Sequence, residues 1–488
     1  MIAHSAYTEN LSVSNVVAVV GAAFIVSVFY RAYFRDTASI PGPWYTNWTR
    51  LVYTYKALKG EGPAYIQALH DQYGSTVRIS PGCVAISEIS DVQQVYNTKE
   101  VFVKSKFYDG FGGPKAPRSV FSTSSVDTHR RYRRLLGGPM SESSLKLVTP
   151  EVRSRAEKAM DRIEEEMDQR GAADVNKWFL FFTTDTIGDL AFGQGFNMLE
   201  SGVQNQYSID LHSLAKTGAI AIQLPSFVKY SRYVPFVSAA ADRARQTLVR
   251  MADYARQSIA RQKASEKTTL FSRIIRASEE NLMTEPELVA NAQSYLVAGT
   301  DTTSNTLTYL VWAVSRDETI RQTLLAELST LPDDFSDAEL KPLEYLDHVI
   351  QESLRLYSAA PALLPRLVPA CGAVLSGYQL SPGTEIAAQA YTMHRNPKVF
   401  SDPYTFNPSR WENPTKEMKD SMTAFGRGNR VCLGLHLALI ELRLATALFF
   451  TRFPTAKMSA LEGMSDKDME PVMHFLASPA GSRCLMEA

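Results

Sequence analysis

The stretch Phe425-Gly426-Arg427-Gly428-Asn429-Arg430-Val431-Cys432-Leu433-Gly434 decides how this chain is read. Three glycines in ten residues leave a backbone with little side-chain cover, free to adopt positive φ and open to a large flat group. Cys432 sits just ahead of a strongly apolar run, from about Leu435 to Phe450, that reads as a helix. A helix N-terminus favours negative charge and so a thiolate, and its backbone N–H groups can bond sulfur. Arg430, two residues earlier, is suited to pair with a carboxylate of such a group. A lone cysteine in a glycine-rich turn is usually an inert buried side chain. What separates this one is the full spacing F-x-x-G-x-R-x-C-x-G.

The composition narrows the field. The 488 residues carry 51 Lys+Arg and 51 Asp+Glu, a balance that argues against nucleic-acid binding. With 45% hydrophobic and 21% charged residues, the chain is neither disordered nor a polytopic membrane protein. Cys83, Cys371, Cys432 and Cys484 are scattered with no C-x-x-C pair, which excludes a disulfide scaffold and a cysteine-built zinc finger. H-E-x-x-H, G-x-S-x-G and Walker motifs are absent.

Residues 11–30 hold no Asp, Glu, Lys, Arg or His. As a helix they would extend about 30 Å, a bilayer core, and they are predicted to form one transmembrane anchor behind a short lumenal segment, 1–10. Arg31 and Arg35 follow, placing the remainder in the cytoplasm by the positive-inside rule. A cleaved signal fits less well, because the basic residues lie on the wrong side. Residues 31–43 form a linker with a hinge at Pro41-Gly42-Pro43, where the prolines block helix continuation. Residues 44–488 read as one mainly α domain with a small β portion on its N-terminal side.

Within that domain, Thr76–Ile79 and Cys83–Ile86 read as strands around Pro81-Gly82. Thr284 and Glu287 form a capping box, opening a helix predicted to run to about Ser315 through Ala298-Gly299-Thr300-Asp301-Thr302. A further helix is predicted over about 345–356. It carries Glu352 and Arg355, which at three residues' spacing share a face and can pair.

On the cysteine loop the chain resembles the cytochrome P-450 family, whose heme iron is held by one cysteine thiolate. The resemblance implies that fold, a heme b cofactor with Cys432 as the axial metal ligand, and Phe425, Gly426 and Arg430 beside it. Further segments fit in order. Glu352 and Arg355 match the family's E-x-x-R, and Arg410 its partner arginine; the resemblance implies a buried structural network of the three. Ala298 to Thr302 is similar to the oxygen-activation motif. There the small Ala298 and Gly299 would let a flat cofactor and O2 lie against the helix. Thr302 would bond a carbonyl one turn back and loosen the ladder, and Asp301 would relay protons. His129 and Arg133 resemble W-x-x-x-R, with histidine for tryptophan. Arg366 matches the arginine of the strand after the E-x-x-R helix, and these three would meet the heme propionates.

The resemblance also implies a monooxygenase fed with electrons by NADPH–cytochrome P-450 reductase, in the endoplasmic reticulum membrane and in contact with lipid. Gly110-Phe111-Gly112-Gly113 lacks the strand-then-helix setting of a dinucleotide fingerprint. Arg131 and Arg427 are expected on the docking face. Phe107, Phe111, Tyr295, Leu363, Leu364 and Phe475 are expected to line a pocket for an apolar substrate that receives one oxygen atom from O2. The blocks Asp185–Gly193 and His394–Pro397 resemble fungal microsomal members, which implies a polyketide, terpenoid or alkaloid intermediate. The alternatives are a hydroxylase of simple aromatics, a heme-thiolate isomerase, or a sensor; Thr302 speaks against the isomerase and the Asp301-Thr302 pair against the sensor.

Overall fold

The computed structural model describes residues 13–33, 35–99, 101–111, 117–231, 238–265 and 268–488. Helices dominate. The longest, Glu285–Ser315, opens on the Thr284/Glu287 capping box and runs 31 residues through the core. Its closest partner is Val175–Phe192, buried on nearly every side. The apolar helix Leu435–Arg452 packs against both Thr149–Arg170 and the central helix.

The β portion is not confined to the N-terminal side. Thr76–Ser80 and Cys83–Ile86 form the expected hairpin, but Glu385–Ala387 joins it in parallel and Arg366–Leu367 closes the far edge antiparallel. This brings Arg366 opposite Ile386 and, across an isolated bridge, beside Lys104. A second hairpin, Pro471–Met473 with Ala477–Pro479, carries Phe475 on its turn.

The linker and hinge are bound to this sheet. Buried Arg78 donates to the carbonyls of Thr37, Ala38 and Ile40 at 3.0, 3.0 and 2.6 Å. A Cβ on Gly42 would lie 2.5 Å from the Arg78 carbonyl oxygen. Glycine is required there by close approach, not by flexibility.

The predicted single-pass anchor is corrected. Residues Val13–Tyr33 are helical, but among the described residues no helix is long and apolar enough to cross a membrane. A run free of charge is not thereby apolar enough for hydrocarbon. Arg31 lies in the last turn of this helix. Its end packs on the domain, with Phe29 and Tyr33 edge-on to Trp48 at 4.9 and 5.4 Å. The endoplasmic-reticulum placement that rested on the span falls with it. The segment 1–10 lies outside the described residues.

Candidate active site

The cysteine loop is clamped from both sides. Cys432 N–H donates to the Phe425 carbonyl at 2.8 Å, and Gly426 N–H to Thr423 at 2.8 Å. Gly426 and Gly428 take φ of 73° and 66°, as the glycine spacing predicts. A Cβ on Gly428 would lie 2.4 Å from the Asn97 carbonyl oxygen, so the loop sits directly on residues 96–98. Arg430 donates to the Thr123 carbonyl at 2.9 Å. Arg133 donates to the Val431 carbonyl, so it also anchors the cysteine loop, beyond the role sequence assigned it.

Cys432 is exposed, yet enough chain surrounds it for burial to push its thiol up. The Gly434 N–H and the Arg133 charge oppose that shift, which is the thiolate-favouring contribution expected at a helix N-terminus. Among the described residues no group of three His, Cys, Asp or Glu side chains gathers around a metal position. A metal held by Cys432 would bring its other ligands with it.

Behind the loop, Glu352 and Arg355 are fully buried. Arg355 forks onto Glu352 at 2.8 and 2.8 Å, while Arg410 Nε, Trp411 Nε1 and Asn407 N–H donate to the same carboxylate at 3.0, 3.0 and 2.8 Å. Two members, Trp411 and Asn407, were not visible in the motif. Nor was His394. Its Nε2 accepts from Thr423 N–H at 2.8 Å, which leaves Nδ1 to donate to the Arg355 carbonyl at 2.9 Å. Burial pushes this imidazole down to about 3, so it stays neutral. His394 thus ties the Glu352 network to Thr423, two residues before the cysteine loop.

On the central helix, Ala298 is exposed and Thr302 half-buried, one turn apart, between buried Tyr295, Leu296, Thr300, Asp301 and Thr303. The helix opens on one narrow strip. Thr302 Oγ1 donates to the Ala298 carbonyl at 2.7 Å, as its position predicts. Burial pushes the Asp301 carboxyl up, partly offset by His212. A Cβ on Gly299 would lie 2.7 Å from Ile187 Cγ1, so its smallness admits the neighbouring helix. Tyr295 is buried in the core, donates to the Leu136 carbonyl at 3.1 Å and packs on Phe271. Its hydroxyl still lies close enough to Cys432 to feel its charge.

Basic groups converge beside the loop. His129 is buried and pushed down to about 3 by burial and then by Arg430, Arg133, Lys104 and Arg366. Arg366 is buried and donates to the Tyr108 hydroxyl at 3.3 Å. By contrast, Arg131 and Arg427, expected to face a partner, are engaged at home: Arg131 with Glu287 at 2.5 Å, Arg427 with Asp420 at 3.1 Å.

Of the expected pocket residues, Phe107, Phe111 and Phe475 meet. Phe111 and Phe475 stand 4.8 Å apart and Phe107 and Phe475 6.3 Å, with Phe121 joining at 5.8 Å from Phe475. Leu363 shares a cavity with Phe107 and Phe475. Leu364 instead packs on the cluster around the sheet, its carbonyl accepting from Tyr96.

One buried acid had no sequence signal. Glu441, on the helix after the cysteine loop, meets Thr303 of the central helix, and burial pushes it up to about 8. The folded state then binds a proton that the unfolded state releases, so its contribution to stability is lost as pH rises. Between about pH 6 and about pH 8 the wild-type protein should lose about 2 kcal/mol relative to Glu441→Gln. Melting curves of both across that range check this; parallel pH profiles would remove the ionisable Glu441 from the account.

The sequence profile of the cytochrome P-450 family matches residues 40–483. The chain is 40% identical over 475 residues to cytochrome P-450 monooxygenase tazI of Aspergillus terreus, covering 95% of this chain and 96% of that protein. It is 35% identical to monooxygenase orf2 of Aspergillus niger, with 95% and 96% covered, and 32% identical to monooxygenase aflV of Aspergillus parasiticus, with 96% and 95% covered. The residues present fit heme: an exposed thiol in a loop ahead of a helix N-terminus, a helix open at Ala298 and Thr302, and cations gathered beside that loop. The family takes a small-molecule substrate, O2 and electrons from a redox partner. On the profile match and the near full-length relatives, the chain belongs to the cytochrome P-450 family of heme-thiolate monooxygenases.

Proposed function

We propose that this enzyme inserts one oxygen atom from O2 into an apolar small molecule of fungal secondary metabolism, a polyketide, terpenoid or alkaloid intermediate, by hydroxylation or epoxidation. Three monooxygenases of Aspergillus species among its relatives support the fungal setting. The single observation that carries the site is the exposed Cys432 thiol in a loop held by Phe425, Arg133 and Arg430. In this reading Cys432 holds the iron, and Arg430, Arg366, Arg133 and His129 face the cofactor's carboxylates. Phe107, Phe111, Leu363 and Phe475 exclude water and shape the pocket. NADPH–cytochrome P-450 reductase supplies the electrons. Bound heme supplies the oxygen-activating chemistry.

The chain's own work is proton supply. Burial pushes the Asp301 carboxyl up, and Thr302 is one residue away with its hydroxyl on the open strip. Thr302→Ala should lower product formed per NADPH consumed by about tenfold or more, while NADPH consumption continues. Unchanged coupling would take Thr302 out of the relay.

The test of the whole reading is the carbon monoxide difference spectrum of the reduced protein, followed by turnover with added reductase and NADPH. A strongly red-shifted Soret band with reductase-dependent oxidation is expected. A well-folded protein without heme would overturn it.

A further inference from the structure

The cavity that Leu363 shares with Phe107 and Phe475 has a polar end that no motif marks. Besides apolar side chains it is lined by Tyr53, Gln223 and His474. Three elements bring them together. Tyr53 lies on the helix Leu51–Leu58, Gln223 ends the helix Gln206–Gln223, and His474 stands in the turn that also carries Phe475. The two helices pack on each other. Met473 N–H donates to the Gly60 carbonyl at 2.9 Å, which holds the turn beside the first helix. A Cβ on Gly110 would lie 2.7 Å from Ile222 Cγ1, so this glycine admits the second helix against the segment of Phe107 and Phe111.

Each polar group is oriented by a bond behind it. Arg50 Nη2 donates to Gln223 Oε1 at 3.3 Å, and its guanidinium lies 5.3 Å from the Tyr53 ring centre. An arginine has no acceptor, so this bond fixes which end of the amide is oxygen and leaves the NH2 for another partner. Gln223 is the hydrogen-bonding side chain that the Tyr53 hydroxyl meets. Facing it as a donor, the amide leaves the hydroxyl proton for another acceptor. Burial pushes that hydroxyl up to about 12, so it stays protonated. His474 Nδ1 lies 3.3 Å from the Ala57 carbonyl. A carbonyl only accepts, so Nδ1 carries the proton and the neutral ring keeps Nε2 as an acceptor.

One cavity therefore presents a phenolic donor and an imidazole acceptor beside the rings of Phe107 and Phe475, which stand 6.3 Å apart. Ala298 and Thr302 are not among its walls, so the polar end stands away from the open strip of the central helix. A ketone or an ether would answer Tyr53 and leave His474 unmatched. A hydroxyl answers both.

We propose that the substrate is a hydroxylated aromatic whose hydroxyl docks between Tyr53 and His474, with its ring against Phe107 and Phe475 and its far end turned to the site of oxidation. The proposal rests on the monooxygenase reading and narrows its substrate class. The two fail separately: wild-type protein without heme defeats that reading, whereas this one is decided by affinities measured on heme-loaded protein.

The experiment is equilibrium dialysis of purified holoenzyme against naphthalene, 2-naphthol and 2-methoxynaphthalene. Tyr53→Phe and His474→Leu should each weaken 2-naphthol binding by about three- to tenfold, the scale of one lost hydrogen bond, and leave naphthalene binding within about twofold of wild type. 2-Methoxynaphthalene, which accepts but cannot donate, should lose affinity in Tyr53→Phe and keep it in His474→Leu. His474→Gln, which keeps an acceptor, should bind 2-naphthol within about twofold of wild type. Phe475→Ala should weaken all three probes. No measurable binding of 2-naphthol to wild type, unchanged 2-naphthol affinity in Tyr53→Phe or His474→Leu, or equal losses for naphthalene and 2-naphthol in either variant would overturn the proposal. Equal losses for 2-methoxynaphthalene and 2-naphthol in His474→Leu would overturn the hydroxyl, and unchanged affinities in Phe475→Ala the placement of the ring.

Discussion

Cys432→Ser should abolish the red-shifted carbon monoxide band and lower oxygen-dependent turnover by at least about a thousandfold, about 4 kcal/mol of barrier. The reasoning is local. Ser preserves the backbone that holds the loop, because the Cys432 N–H to Phe425 bond and the positive φ of Gly426 and Gly428 do not involve the sulfur. The Gly434 N–H and Arg133 charge that favour an anion also remain. What changes is the donor atom. An alcohol ionises far less readily than a thiol and gives up the electron-rich thiolate that distinguishes this class of heme. A melting temperature close to wild type, with the band gone, is the expected pair of results. A variant that keeps the band would place the iron on another residue.

Glu352→Ala should leave little folded, heme-containing protein. The carboxylate is fully buried and is the common acceptor for Arg355, Arg410, the Trp411 indole and the Asn407 N–H. Breaking a buried pair costs about 3–5 kcal/mol, and each further stranded donor about 1–3 kcal/mol. Set against a total stability of about 5–15 kcal/mol, the loss is large enough to unfold the domain or to leave it unable to retain heme. Arg410→Ala should be milder, because Arg355 remains paired with Glu352. Heme content per protein and thermal melts followed by circular dichroism measure both. A Glu352→Ala protein with wild-type heme content and melting would show that the network does not support the site.

Local patterns carried much of the fold. The capping box announced the central helix at Thr284, and the apolar run announced the helix beginning at Leu435; both start where expected. These signals are short-range: a cap, a period, a turn of Pro81-Gly82. What such signals do not carry is what stands across from a residue. Gly299 looked small for a cofactor and is small for Ile187. Tyr295 looked like pocket wall and is core. Arg131 and Arg427 looked available and are paired. Residues 11–30 looked like a membrane span because charge was absent, and the described helix is not apolar enough to be one.

The sequence by itself determined the family, through one ten-residue loop, and with it the cofactor and the class of chemistry. It also determined which helices form, since periodicity and caps are written along the chain. Only the tertiary structure decided how the loop is held. His394 reaches it from the Glu352 network, Arg133 grips Val431, and residues 96–98 sit under Gly428. It alone placed Lys104 among Arg366, Arg430 and His129, and Glu441 behind Thr303. The reason is physical: burial and charge at a site are sums over groups far apart in the chain, and no local pattern records that sum.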